Sequence, residues 1–161
     1  MNPEKNQEFG MYLDLVLGQA LQAAGYIKNM NDIQENMGKF VYLKAPETEK
    51  EPRGKPHLYI EFQNLTYISS EWAPNAASRF TVFLGRQDDE DSQGKSPVES
   101  STRCMLSELV VREFSVSILP TETHWWPYQD PTEMCQALSE AGHLLVGYGI
   151  PWLAEELKPP L

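Results

Sequence analysis

Cysteine is scarce in this chain. The two present, Cys104 and Cys135, stand far apart and form no CxxC pair. That excludes a small scaffold stapled by disulfides and suits a reducing compartment. Basic residues are also in short supply, with 13 Lys and Arg against 23 Asp and Glu, for a formal charge of −10. Nucleic-acid backbones are bound through clustered Lys and Arg that displace counterions, so nucleic acid is excluded as a partner, and so is an anionic membrane surface. A basic protein is the better electrostatic match. The plainer reading is that the acidity only keeps the chain in solution. Apolar runs of membrane-spanning length are missing as well, and the opening "MNPEKNQEF" lacks the apolar core of a secretory leader. The expectation is a cytoplasmic protein that does not engage membranes.

Chemistry-bearing motifs are equally sparse. The chain contains no GxGxxG, no GxxxxGK[ST] and no GxSxG. It also has no HExxH and no Cys/His pair at metal-ligand spacing; His57, His124 and His143 are isolated from one another and from the cysteines. A nucleophilic Cys104 or Cys135 would need a base that the spacing does not supply. Cys135, beside Met134, reads as a packed residue. No catalytic residue, metal or cofactor is therefore expected, and the chain reads as a non-enzyme.

What is present is a patterned, aromatic-rich sequence of a length that buries one core, so residues 1–161 are read as a single domain. "EFGMYLDLVLGQALQAAG" spaces Phe9, Leu13, Val16, Leu17, Ala20, Leu21 and Ala24 as an amphipathic helix, with Gly25 as its left-handed cap. "YIKNMNDIQENMG" reads as a loop or irregular turn. "KFVYLKA" is the first strand candidate, and the charged "PETEKEPRGKP" an exposed hairpin loop. "HLYIEFQNL" and "SRFTVFLG" alternate with period two, Leu58, Ile60 and Phe62 facing one way and Phe80, Val82 and Leu84 repeating the pattern. Residues 86–102, with the acidic run Asp88 to Asp91, read as a long flexible loop. "CMLSELVV" fits either a short helix or a strand, and "REFSVSIL" alternates as a strand. Asp130-Pro131-Thr132-Glu133 is a helix start, followed by an apolar stripe from Met134 to Leu145 that Gly147 and Gly149 terminate before the short "IPWLAEEL". The predicted class is α+β: an antiparallel sheet of about four to five strands whose apolar face is covered by the N-terminal and C-terminal helices.

"IEFQ" followed by "RFTVFLG", then "HWW" and "GIPWL", with "AAGY" closing the first helix, resemble the bacterial domain-of-unknown-function family 4304. The likeness runs from about Phe9 to Leu153. It departs at "GYIKNMNDIQENMGKF", which is longer and less basic than the family's entry, and at the acidic segment around Asp88, which looks like an insertion. The resemblance implies a mixed α+β bacterial domain and carries over no catalytic residue.

Two features stand out as candidate sites. His57, Tyr59, Glu61 and Gln63 would form one ridge on the polar face of a strand, joined by Thr81, Phe83, Glu113, Ser115 and Ser117 if their strands share the sheet. The ridge is either a gripping surface for a ligand or partner, or an ordinary solvated sheet face. Glu61 and His57, about 13 Å apart on a strand, are too distant to act as an acid–base pair. In "HWWPYQDPTE", Pro127 forces Trp126 into extended backbone, so Trp125 and Trp126 point to opposite sides and cannot form one platform. One is expected to seal the core and the other to lie on the opposite surface. The functional expectation is a binding protein that engages a basic protein partner, as an immunity protein or antitoxin does. The alternatives are a small-ligand domain using Tyr59, Glu61, Gln63 and a Trp, or an unrecognised enzyme.

Overall fold

The computed structural model describes residues 3–45, 57–66, 77–87 and 101–160. The fold is α+β, an antiparallel sheet with the N-terminal and C-terminal helices packed against it. Helix α1 (Pro3–Ala23) turns at Gly25, whose φ of 89° only glycine adopts without strain, and leads into strand β1 (Tyr26–Lys28). Helix α2 (Asp32–Asn36) follows, then β2 (Lys39–Lys44), β3 (His57–Leu65), β4 (Ser78–Gln87) and β5 (Ser101–Met105). A short helix α3 (Leu106–Glu108) widens into a π-helical turn, Leu109–Glu113, before β6 (Trp126–Tyr128) and α4 (Pro131–Leu144). A second π turn, Leu145–Gly149, joins α4 to α5 (Ile150–Leu153).

Strands β1 to β5 lie side by side in chain order, every pairing antiparallel. β6 makes the sheet six-stranded by pairing with Ser78–Phe80 of β4, while β5 pairs with the other end of the same strand. The register aligns Phe40 with Phe62 and Phe62 with Val82, and likewise Tyr42 with Ile60 and Ile60 with Leu84. These rows are the core face. Against them α1 lays Phe9, Leu13, Leu17 and Leu21, and α4 lays Met134, Ala137, Leu138, Ala141 and Leu144, all buried. Val16 and Ala24 are half-buried and Ala20 is exposed, so the stripe on α1 is narrower than its spacing predicts. Phe9 is the hub: its ring lies 5.4 Å from both Phe40 and Phe80, which ties the first helix to three strands' worth of aromatics through Tyr128.

Four expectations need correction. The Asn-rich segment is not irregular: Asn31 caps α2 by accepting from the Gln34 N–H at 3.2 Å, and Tyr26–Lys28 adds a strand before it. "REFSVSIL" is not a strand. Arg112 and Glu113 close the π turn, and Ser115 takes a φ of 57°, which breaks extended backbone at the point where the alternation was read. Gly147 and Gly149 do not stop the last helix; its ladder slips into a π turn and resumes at Ile150. The 86–102 loop is shorter at both ends, since Arg86 and Gln87 belong to β4 and Ser101 and Thr102 to β5. Its remainder, and the hairpin loop 46–56, lie outside the described residues.

The predicted start of α4 is present, with one change of partner. Asp130 accepts from the Glu133 N–H at 2.8 Å, while the Glu133 carboxylate reaches back to the N–H of Gln129. A buried polar chain locks the same region to the rest of the fold. Tyr128 donates its hydroxyl to Asn64, Asn64 donates to Asn6 at 3.0 Å, and Asn6 donates to the Asn36 carbonyl at 2.9 Å. Burial pushes the Tyr128 phenol up to about 12, so this donor keeps its proton. Tyr128→Phe strands the Asn64 oxygen in a buried site and is expected to cost about 1–3 kcal/mol. Urea denaturation measures it, and an unchanged midpoint would remove the chain's structural role.

Candidate functional site

The sheet face opposite the helices carries most of the ridge read from the sequence. Cross-strand register sets Glu61 opposite Phe83, Gln63 opposite Thr81, and Tyr59 opposite Gly85. Tyr59 lies over Gly85 so closely that a Cβ there would meet the ring at 1.9 Å, which is why glycine interrupts β4. Glu61 is only 3% exposed. Its carboxylate accepts from Arg103 at 2.6 Å and from the Gln63 amide at 2.6 Å, with the Lys39 ammonium at 3.5 Å. Arg103 in turn lies over the Phe83 ring, 4.0 Å from its centre. Tyr59, Glu61, Gln63 and Phe83 therefore share one patch. His57 stands exposed at its end, and Glu113, Ser115 and Ser117 are not in the sheet. Lys39 and Arg103 are not legible as its partners: they lie on β2 and β5, and only the register shows them converging on Glu61.

The two tryptophans divide as expected. Trp126 is 1% exposed and stacks on Phe80 at 5.5 Å, so it is the core member. Trp125 is half-buried on the other side, under the Arg79 guanidinium at 5.0 Å. Three bonds fix the segment ahead of them. Ser107 donates to the Glu122 carbonyl and accepts from the His124 N–H, and Thr81 donates to the His124 carbonyl. Thr81 is fully buried, and its hydroxyl thus serves the loop.

His124 sets its ring edge-on to Trp126 at 4.8 Å. Burial pulls its pKa below the ordinary 6.5, with the nearby Glu140 charge opposing. The unfolded chain therefore binds the extra proton first as the pH falls. The stability from a neutral His124 is full above about pH 6.5 and is lost as the pH drops through the folded value. Melting temperatures between about pH 7.5 and about pH 5.5 should fall more steeply for the native chain than for His124→Gln. Parallel curves would take His124 out of the acid response.

A third feature lies between α1 and α2. Gly10, Met11 and Asp14 of α1, Asp32, Glu35 and Asn36 of α2, and Phe40 border a groove of about 460 Å³. Lys28 bridges its two walls, 3.2 Å from Asp14 and 2.8 Å from Glu35. Burial opposes the Lys28 charge, but its hydrogen bonds to Glu35 and Asp14 outweigh it and hold the ammonium pKa above the usual lysine value. Tyr42 donates to the second Asp14 oxygen at 2.7 Å. Met11 on its wall is 59% exposed, and Leu15 on α1 and Met30, Ile33 and Met37 in the segment that carries α2 are 61–76% exposed. The sequence signal is present in "MNDI" and "ENMG", where apolar residues sit among acids and amides in a segment whose composition is that of a loop.

Nucleophilic and metal chemistry find little footing among the described residues. Burial pushes the Cys104 thiol up to about 11, so it stays protonated at neutral pH. No three His, Cys, Asp or Glu side chains are grouped to hold a metal ion, and no helix is long and apolar enough to cross a membrane. The chain matches no protein-family model, no curated protein and no solved structure.

Proposed function

We propose that this chain is a non-catalytic binding protein that captures a basic protein partner, as an immunity protein or antitoxin does. One observation carries the reading: exposed apolar side chains gather at the α1–β1–α2 end, beside acid-lined walls, on a chain of net charge −10. Scattered exposed apolar residues need no explanation, whereas a cluster rimmed by polar and charged groups is the composition of a contact surface. The acids would speed and orient the capture of a cationic partner, and the apolar side chains would hold it. The likeness to family 4304 rests on its short motifs alone and adds no site residue to this reading.

The small-ligand reading of the sheet face has less behind it. The Glu61 carboxylate is already engaged by Arg103, Lys39 and Gln63, and a ligand would have to displace one of them. The test is retention from the source organism's lysate on the immobilised protein, beside an unrelated protein of equal charge. A basic protein held at low salt on this chain alone, and shed at high salt, is the expected result. Retention by both columns, or by neither, would overturn the proposal.

A further inference from the structure

Resting on the partner-binding reading above, we propose that the groove between α1 and α2 receives a basic amphipathic helix of the partner. The walls decide the shape of the occupant. They are side chains of two helices: the long α1 bonds its main chain internally, and in α2 the Gln34 N–H and the Asn36 carbonyl are already taken by Asn31 and Asn6. An extended peptide laid there would find few backbone partners, whereas a helix satisfies its own N–H and C=O groups. The apolar positions suit such a guest. Met11 lines the α1 wall, 59% exposed, with Phe40 in the same groove, and Leu15 stands one turn further along α1. Methionine is unbranched and polarizable, and moulds itself to side chains of varied shape.

The charges decide its sign. Asp14, Asp32 and Glu35 face a single cation, Lys28, which shows how the groove holds an ammonium: between carboxylates of opposite walls and 5.5 Å above the Phe40 ring. Asp32 has no ion pair among the described residues and is free to take a lysine or arginine of the guest. A second copy of this chain is the wrong occupant, since it brings a charge of −10 to an acidic groove.

The experiment uses the full chain and three labelled synthetic peptides, with fluorescence polarisation as the readout. The first has leucines at helical spacing and lysines elsewhere. The second has the same composition with leucine and lysine alternating. The third is the first with glutamate for lysine. The helical basic peptide should bind at least about tenfold tighter than either other one, and more weakly as salt rises. Met11→Gln, and separately Asp32→Lys, should each weaken it by about fivefold or more while the melting temperature holds. These sites are exposed, so the variants are expected to fold. Equal or tighter binding of the alternating or acidic peptide, or binding indifferent to these substitutions, would overturn the groove proposal. Should the peptides fail while the salt-sensitive capture of a basic protein persists, the groove assignment falls and the partner reading stands. Should both fail, both fall.

Discussion

Trp126→Ala is expected to be the most damaging single truncation in the "HWWPYQ" segment, costing about 3–5 kcal/mol. The side chain is 1% exposed and stacks on Phe80 with the ring planes 17° apart, and Phe80 itself packs on Phe9 of the first helix. Deleting the indole opens a cavity where β6, β4 and α1 meet, and the backbone cannot collapse into it because Pro127 and the β4 pairing hold the strand. Trp125→Ala next door should cost less than about 1 kcal/mol, because that ring is half-buried and holds only the exposed Arg79. Trp126→Phe provides the internal control. The Trp126 indole N–H is buried with no hydrogen-bond partner, so phenylalanine keeps a ring and removes an unpaired donor. Its loss should be less than half that of alanine. Guanidinium denaturation of the three variants decides the matter, and equal losses at 125 and 126 would mean that the pair does not divide between core and surface.

That division was legible because proline acts locally. Pro127 restricts Trp126 whatever the rest of the chain does, and extended backbone then sends neighbours to opposite sides. The same locality explains why β3 was readable to the residue, His57 to Leu65, and why Asp130 marked the start of α4. Where the reading failed, backbone geometry or packing that a hydrophobic period does not encode decided the outcome. "REFSVSIL" has the period of a strand, but the π turn ahead of it and the left-handed Ser115 deny it a partner. Gly147 and Gly149 look like a stop signal. Gly149 instead sits against Leu106 and Leu84, where a Cβ would lie 3.2–3.3 Å from their methyls, so the glycine serves packing within a continuing helix. β1 and β6 are three residues each, too short to show a period, and exist only because β2 and β4 offer them an edge.

The candidate site divides along the same line. A ridge of alternate residues on one strand follows from the pleat, so Tyr59, Glu61 and Gln63 could be grouped from the sequence. What sits beside them depends on register across four strands, and register brings Lys39 and Arg103 to Glu61. An acid on an open sheet face reads as a solvated residue until its neighbours are known. Here they bury it.

Removing those neighbours should therefore hurt more than removing the acid. In Lys39→Ala with Arg103→Ala the Glu61 carboxylate, 3% exposed in the intact chain, loses both cations and part of its cover. Stranding a buried charge costs about 3–5 kcal/mol, and the lower end applies because Lys39 and Arg103 are each 41% exposed and already partly solvated. Glu61→Gln added to that double variant should restore most of the loss. An uncharged amide occupies the same space and still bonds with the Gln63 side chain, so nothing charged is left behind. Glu61→Gln alone frees two exposed cations into water and should cost less than the double variant. This ordering, with the double variant worst and its rescue by an isosteric neutral side chain, separates a buried charge from simple loss of packing. Truncating Arg103 also uncovers the Phe83 ring, and Glu61→Gln cannot restore that contact. If the triple variant is no more stable than the double, packing of the arginine over Phe83 holds this face together and the carboxylate does not.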